Sequence, residues 1–273
     1  MLRPEDFFDL EDHPFAALFA DCPVVWDALK KLKGYLKENL KGNVAEARQG
    51  QVLMTGTVAL YRGEVLEEGF TVDTSGKKPL VVRDGQPLPE ASILYAGAIL
   101  MDDDIFIGQG AVVEPGALIK GPAYIGPDTE VRQGAYIRGD VLVGRDCVVG
   151  HTTEMKSSIM LGDSKAGHFA YIGDSILGKV NLGAGTKLAN LKMTGAPVRV
   201  DAGGTRHETG LRKFGAILGD GVETGCNSVT NPGTLLGKGV LLYPNTTARG
   251  YHPPGKVIKA LRPRAGASPE SHG

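Results

Sequence analysis

An aliphatic side chain recurs every six residues through the middle of the chain. The positions that carry it are Ile107, Val113, Ile119, Ile125, Val131, Ile137, Val143, Val149 and Met155. A small or compact residue stands four places after each of the first eight, at Ala111, Ala117, Ala123, Thr129, Ala135, Val141, Cys147 and Thr153. An α-helix repeats every 3.6 residues and a half-buried strand alternates every two, so neither explains this spacing. The pattern predicts short strands separated by turns.

A stack of such hexapeptides predicts a solenoid of triangular cross-section. Each hexapeptide supplies one strand and one turn and therefore forms one side of the triangle. Three hexapeptides make a full coil. Gly, Asp and Asn at the corners tolerate backbone conformations that β-branched residues resist. One coil cannot bury its own inner face, so the core comes from stacked neighbours. Residues 105–158 account for three full coils.

The repeat becomes irregular after Met155, and these irregularities are candidate functional positions. Single-residue deletions interrupt the register up to residue 190, and residues 192–212 lose the period and are predicted to form a projecting loop. The period returns between residues 214 and 248. Loops and irregular turns carry much of the chemistry of proteins. The Pro-, Gly- and Ser-rich residues 251–273 are predicted to form a loosely ordered tail.

The first 100 residues follow a different pattern. Between residues 15 and 40, apolar residues recur at helical spacing, at Phe15, Leu18, Phe19, Val25, Trp26, Leu29, Leu32, Tyr35 and Leu36. This stripe favours helices that pack against the rest of the protein over a cofactor or partner groove. Residues 51–100 mix short β-like runs with turns and are expected to cap the solenoid. The predicted domains are a helical and β cap at 1–100, a β-helix at 101–250 and the tail.

Composition narrows the class of protein. The 273 residues include 39 Gly, about twice the usual share of roughly 7%, but 42% of the chain is hydrophobic, which argues against disorder. A net charge of −1 argues against a nucleic-acid partner. No apolar run is long enough to span a membrane, and the N-terminal residues do not look like a secretory signal. We therefore expect a cytoplasmic protein. Cys22, Cys147 and Cys226 lack the spacing of a disulfide framework or zinc site.

The most specific motifs lie between residues 154 and 220. They read KAGHFAYIGD and NLGAGTKLAN, then a basic loop, then GLRKFGAILGD. This segment resembles the acetyltransferase domain of bacterial glucosamine-1-phosphate acetyltransferase/N-acetylglucosamine-1-phosphate uridyltransferase. It resembles more closely the matching domain of archaeal-type sugar-phosphate nucleotidylyltransferases. The resemblance covers about residues 105–248. It implies an all-β fold, a left-handed parallel β-helix with a short N-terminal helical and mixed cap, and a homotrimer.

His168 is the candidate catalytic residue. Acetylation of an amine needs a group that accepts the amine's proton, and an imidazole with a pKa near about 6.5 suits that role. The resemblance places the general base at the histidine of KAGH, which is His168. The alternative is a hydrogen-bonded, inert histidine at a coil corner. No Cys or Ser accompanies His168 in an activating motif, so a direct attack without an acyl-enzyme is expected.

The resemblance also implies residues that bind the acceptor. They are Lys156, Tyr171, Asn181, Asn190 and Lys213. Cationic side chains suit a sugar phosphate, although solvated lysines, an aromatic that shields the coil edge and ordinary corner asparagines are the structural alternatives. Asn181 also lies one residue nearer to His168 than the family spacing. Leu191 follows Asn190 where the bacterial family has Tyr, which puts the acceptor specificity in doubt.

Acetyl-CoA is the implied co-substrate. In the family it lies in a groove between neighbouring solenoids, which would place main-chain groups near Ala184, Ala202 or Ala216 against it. The GAGT motif at 183–186 is not a dinucleotide fingerprint, because it lies inside a coil and not between a strand and a helix. The basic residues of 192–213 could bind a phosphate or remain solvated. No metal is predicted, since His151 and His207 have no convincing third ligand.

The sequence therefore predicts an acyltransferase that moves acetyl from acetyl-CoA to the amino group of an amino-sugar phosphate, such as glucosamine-1-phosphate or galactosamine-1-phosphate. An amino acid or a nucleotide-linked sugar stays open as the acceptor. Residues 1–104 do not resemble the nucleotidyltransferase half of the related enzymes, so that second activity is not expected. The alternative is a non-catalytic solenoid that binds a sugar nucleotide or acts as a scaffold for a partner.

Overall fold

The computed structural model describes residues 2–260, and most of them wind into about nine coils of short parallel strands. The strands of the coils form three parallel sheets, called faces 1, 2 and 3 in the order in which the chain passes through them in each coil. Face 1 contains Ser92–Leu94, Val112–Val113, Glu130–Val131, Val148–His151, Lys165–His168, Asn181–Leu182, Glu223–Thr224, Leu241–Leu242 and Val257–Ile258. Face 2 contains Ile99–Leu100, Leu118–Lys120, Tyr136–Arg138, Glu154–Lys156, Tyr171–Gly173, Lys187–Leu188, Val229–Thr230 and Thr247–Ala248. Face 3 contains Ile105–Ile107, Ala123–Ile125, Val141–Arg145, Ser158–Gly162, Ile176–Leu177, Ala216–Leu218, Thr234–Leu236 and Tyr251–His252.

The six-residue pattern places its aliphatic side chains inside the solenoid. All nine are at most 2% exposed, and they belong to one continuous hydrophobic core. The compact residues four places later are buried as well. Stacking accounts for this, because each coil covers the apolar inner face of its neighbour. The predicted fold class, an all-β left-handed parallel β-helix with a short N-terminal cap, is confirmed.

Four helical segments precede the coils; the first three lie along the flank of the solenoid and the last lies at one end. They are a 3₁₀ turn at Pro4–Asp6 and α-helices at Ala16–Phe19, Asp27–Asn39 and Ala45–Arg48. Leu32 and Leu36 of the longest helix belong to the same buried cluster as Ile159 and Ile176, which point outward from face 3. The apolar stripe therefore serves packing, as predicted. Within residues 2–260, no helix is long and apolar enough to cross a membrane.

Residues 44–91 close one end of the solenoid. Val44, Ala47, Met54 and Val58 join the interior core. Strands Val58–Tyr61 and Glu64–Leu66 extend face 1 in antiparallel order, and Thr71–Asp73, Leu80–Arg83 and Gln86–Leu88 form a separate three-stranded sheet. The coils begin at Ser92–Leu94, before the predicted boundary at 101, because this strand already pairs in parallel with Val112–Val113.

The segment predicted as a projecting loop folds into a hairpin. Strands Arg199–Ala202 and Thr205–Glu208 pair in antiparallel order. Val198 and Val200 are fully buried in the cluster that also holds residues of the N-terminal helices and of face 3, and the rings of Trp26 and His207 lie 6.2 Å apart. These apolar contacts explain why the segment docks on the flank although it lacks the repeat.

The coils also continue beyond the predicted boundary at residue 250. Tyr251–His252 and Val257–Ile258 are strands of the last coil, so the predicted tail is wrong for these residues. Their proline and glycine neighbours form a corner, with Gly255 at a φ of 70°. The rest of the predicted tail, residues 261–273, lies outside the described part of the chain.

The predicted single-residue deletions are confirmed by the strand register. On face 2, Tyr136 pairs with Glu154, which keeps the full spacing of three hexapeptides. On face 3, Val141 pairs with Ser158, one position short of that spacing, and on face 1 Lys165 pairs with Asn181, two positions short. One residue is therefore missing at the corner between faces 2 and 3, and another at the corner between faces 3 and 1. We call residues 154–190 the shortened coils and residues 105–153 the regular coils.

Candidate functional site

His168 ends its strand on face 1 and points to solvent. Its carbonyl oxygen accepts a hydrogen bond from the Gly185 N–H at 3.0 Å, while neither ring nitrogen has a hydrogen-bond partner within residues 2–260. His151 is its register partner in the preceding coil, with Nδ1 2.9 Å from the carbonyl oxygen of Gln133. The imidazole of His168 is therefore exposed and unpaired among the described residues, whereas that of His151 is engaged with a main-chain oxygen.

His168 lines a cavity of about 580 Å³ on the outer side of face 1. The predicted acceptor residue Asn181 lines the same cavity, but at its other end. Asn181 lies beside Lys165, which is three residues before His168 on an extended strand, or about 10 Å away. Its unusual spacing from His168 follows from the residue missing between faces 3 and 1.

Two lysines in this cavity were missed by the sequence analysis. Lys165 stands on the strand that carries His168. Lys78 comes from the turn between Thr71–Asp73 and Leu80–Arg83, and its Nζ donates to the Asp128 carbonyl oxygen at 3.0 Å. Outward positions of the coils follow no period, so the repeat gave no signal for Lys165. Only the tertiary fold brings Lys78 to face 1.

A second polar group forms around Asp174 at the end of face 2. Lys156 Nζ lies 3.5 Å from Asp174 Oδ2, and both side chains are more than four-fifths buried. The Asn190 Nδ2 group donates to the same oxygen at 2.5 Å. A methyl group on Gly173 would lie only 2.6 Å from the Tyr171 hydroxyl and 2.8 Å from Asn190 Nδ2, so glycine makes room for these groups. We call Lys156, Tyr171, Asp174 and Asn190 the polar cluster.

Electrostatics keep the Tyr171 hydroxyl protonated. Burial raises the pKa of Tyr171, and the nearby carboxylates of Glu154 and Asp174 raise it further. A neutral phenol can donate a hydrogen bond to a ligand oxygen. Asp174 is the member of the polar cluster that the sequence analysis missed, because an aspartate at a coil corner is ordinary turn chemistry.

Lys213 lies beside the polar cluster. An antiparallel bridge pairs it with Leu191, and the Asn190 carbonyl oxygen accepts the Phe214 N–H at 2.9 Å. The hairpin insertion thus returns the chain next to the point from which it left. The structure brings four of the predicted acceptor residues together on face 2 and leaves Asn181 with His168 on face 1.

The three alanines expected near acetyl-CoA do not share one surface of this chain. Ala184 immediately precedes Gly185, next to the main chain of His168. Ala202 belongs to the hairpin and packs against the N-terminal helices. Ala216 lies on face 3, where its side chain is fully buried and its N–H donates to Ser175 Oγ at 3.0 Å.

Two of the three arginines of the insertion form ion pairs within the hairpin. Arg199 pairs with Glu208 at 2.7 Å and Arg206 with Asp201 at 2.9 Å. These pairs favour a structural role over a phosphate site for Arg199 and Arg206. His207 lies on the hairpin and His151 on face 1, and in residues 2–260 no three His, Cys, Asp or Glu side chains are grouped as metal ligands.

Part of this chain is similar to proteins of known families. Residues 119–252 match the family model of the GMPPB C-terminal domain. The bifunctional sugar-1-phosphate nucleotidylyltransferase/acetyltransferase of Sulfurisphaera tokodaii is 41% identical over 96 residues, which cover 35% of this chain and 24% of that protein. The bifunctional protein GlmU of Methanococcus maripaludis strain S2 is 39% identical over 143 residues, covering 52% and 34%. That of Methanococcus vannielii is 38% identical over 97 residues, covering 35% and 23%.

These matches confirm the resemblance predicted from the sequence motifs. The matched regions span between a quarter and a third of the length of these curated relatives, and the family model spans most of the solenoid. A solved structure of the polysialic acid O-acetyltransferase OatWY is 14% identical and covers 63% of this chain and 88% of that one. Its TM-score is 0.17, and no argument rests on it.

Proposed function

We propose that this chain transfers an acetyl group from acetyl-CoA to the amino group of an amino-sugar phosphate, such as glucosamine-1-phosphate or galactosamine-1-phosphate. The observation that carries the proposal is the accessible, unpaired imidazole of His168, which stands in a KAGH motif that resembles that of the acetyltransferase family. The name of one relative, a bifunctional sugar-1-phosphate nucleotidylyltransferase/acetyltransferase, supports a sugar phosphate as the substrate class.

His168 would act as the general base. The amine nitrogen attacks the thioester carbonyl, so that a C–N bond forms and the C–S bond breaks. The nitrogen's proton passes to the imidazole, and the leaving thiolate takes up a proton in return. Cys147 lines the same cavity, but burial raises the pKa of its thiol to about 12, which keeps it protonated and unreactive at neutral pH. Direct attack therefore fits better than an acyl-enzyme.

The polar cluster and Lys213 would bind the acceptor. The ammonium groups of Lys156 and Lys213 suit the phosphate, and the Tyr171 phenol and Asn190 amide suit sugar hydroxyl groups. Asp174 would hold Lys156 and Asn190 in place. Asn181 would bind from face 1 together with His168. A homotrimer whose neighbouring copies complete an acetyl-CoA groove beside Ala184 is part of this proposal, as is a cytoplasmic location.

The test measures CoA release from acetyl-CoA with each of the two amino-sugar phosphates. Wild type is compared with His168→Ala, with folding checked by circular dichroism. Turnover that falls at least about 100-fold in a folded His168→Ala protein is the expected result. A fully active His168→Ala protein would contradict the role of the base. A wild type that binds no acetyl-CoA would instead favour the non-catalytic alternative.

A further inference from the structure

One corner of the solenoid repeats the same backbone conformation in every coil. Between faces 1 and 2, the residue two places before each face-2 strand lies in the left-handed region, with φ between 53° and 89°. These residues are Gly97, Gly116, Gly134, Thr152, Phe169, Gly185, Asn227 and Asn245. Six are Gly or Asn, the residue types that accept this conformation at low cost. The two exceptions, Thr152 and Phe169, directly follow His151 and His168.

Phe169 gains little from packing to offset its unfavourable conformation. The side chain is 53% exposed and belongs to none of the buried clusters. Its ring instead lies 5.3 Å from the ring of His151 and 6.3 Å from that of His168, measured between centroids. A bulky residue held at positive φ, with its ring exposed, is the kind of strain that accumulates at functional sites.

The strand that carries His168 is uncrowded at Gly167. Gly167, which precedes His168, has no atom within 4 Å of the position that a Cβ would occupy, and its φ is not in the left-handed region. Neither crowding nor backbone conformation within this chain therefore requires glycine there. An exposed aromatic ring, an accessible imidazole and an uncrowded glycine thus stand together at this corner.

We propose that Phe169 is a binding residue for the acceptor, with its exposed ring packed against the C–H face of the pyranose that carries the reacting amine. This inference rests on the proposed function. An amine about 3 Å from the imidazole keeps its sugar ring beside that side chain, and the Phe169 ring, centred 6.3 Å from the imidazole ring, is near enough to contact the same sugar. A pyranose has apolar C–H faces and a polar rim, so the ring and the polar cluster would divide its recognition between them.

The test substitutes Asn, the residue that two other coils use at this position, at Phe169 and at the control position Thr152. Both Phe169→Asn and Thr152→Asn should raise the melting temperature by about 2–4 °C, because each relieves an unfavourable φ. Phe169→Asn should also raise KM for the amino-sugar phosphate about threefold to tenfold, the size expected of one aromatic contact. The KM for acetyl-CoA should not change, and Thr152→Asn should change neither constant. Phe169→Tyr, which keeps the ring, should retain the wild-type KM.

Four results would overturn the inference. They are a lower melting temperature in Phe169→Asn, a higher KM for acetyl-CoA alone, a smaller assembly in sedimentation, or no kinetic change. A lower melting temperature would show that the ring has a structural role, and a higher KM for acetyl-CoA alone would show that it binds the acyl donor. A smaller assembly would place the ring in contacts between copies of the chain, and unchanged kinetics would show that it binds neither substrate. A wild type without turnover would remove the proposed function as well, whereas an active wild type with an unchanged Phe169→Asn removes this inference only.

Discussion

The regular and the shortened coils share an interior but differ in their outer surfaces. Ile137 of a regular coil and Ile172 of a shortened one are both fully buried in the same core. On the outside, regular coils carry paired charges such as Arg132 with Glu130 at 2.7 Å. The shortened coils carry His168 and the polar cluster. Residues are deleted only at corners, so the chain gains irregular outer positions without disturbing the inner stack. The comparison shows that departures from a repeat can change the outer surface of a solenoid while its core stays uniform.

The largest effect expected from this comparison concerns the paired histidines. His168→Gln should lower kcat/KM for the amino-sugar phosphate about 10²–10⁴-fold, because the proton acceptor is lost. His151→Gln, at the register partner in a regular coil, should lower it less than about threefold, since its Nδ1 is already engaged with a carbonyl oxygen. Steady-state kinetics on both variants makes the comparison. Equal losses of kcat/KM in the two variants would show that the histidine of the shortened coil has no role that the histidine of the regular coil lacks.

Core substitutions test whether the interior is indeed uniform. Ile137→Ala and Ile172→Ala should each reduce the free energy of unfolding by about 2–5 kcal/mol, because each leaves a cavity in a fully packed core. Denaturant unfolding measures both. A cost for Ile172→Ala below half that of Ile137→Ala would mean that the deletions loosen the interior.

The corner aspartates test the polar cluster more finely. Asp174→Asn should raise KM for the acceptor about tenfold or less, with kcat less affected, because Lys156 loses the carboxylate that holds it. Asp140 occupies the same corner in a regular coil, also at positive φ, and one of its oxygens is buried with no hydrogen-bond partner among the described residues. Asp140→Asn should leave KM unchanged. An unchanged KM in both variants would remove Asp174 from acceptor binding.

The smallest effect concerns acid stability where the N-terminal segment covers the shortened coils. Burial lowers the pKa of His13 below its usual 6.5, and its Nδ1 accepts the Phe15 N–H at 3.2 Å, which requires the unprotonated form. Below pH 6.5 the unfolded chain therefore binds a proton at His13 that the folded chain does not. The free energy of unfolding consequently decreases as the pH falls from 6.5 towards the pKa of His13 in the folded protein.

The melting temperature should thus drop between pH 7 and pH 5, and the drop should be smaller in His13→Gln by about 1–3 °C. His252, whose pKa burial also lowers, contributes in the same direction and remains in both proteins. An identical decrease in melting temperature in wild type and His13→Gln would show that protonation of His13 does not contribute to the loss of stability in acid.

The sequence alone determined the coil interior, because aliphatic side chains that recur every six residues become buried when the coils stack on one another. It also located the deletions and the motif around His168. It could not determine which corners lose a residue, that Val198 and Val200 bury the insertion in the cluster shared by the helices and face 3, or that the coils reach Ile258, because these depend on contacts between distant residues.

Only the tertiary structure decided how the site is divided. It placed Asn181 with His168, gathered the other acceptor candidates around Asp174, and buried Ala216. Local sequence constrains which side chains turn inward, since that choice depends on neighbouring residues and the hydrophobic effect. Which outward side chains meet depends on the register between coils, and that register is set by corner geometry over the whole stack.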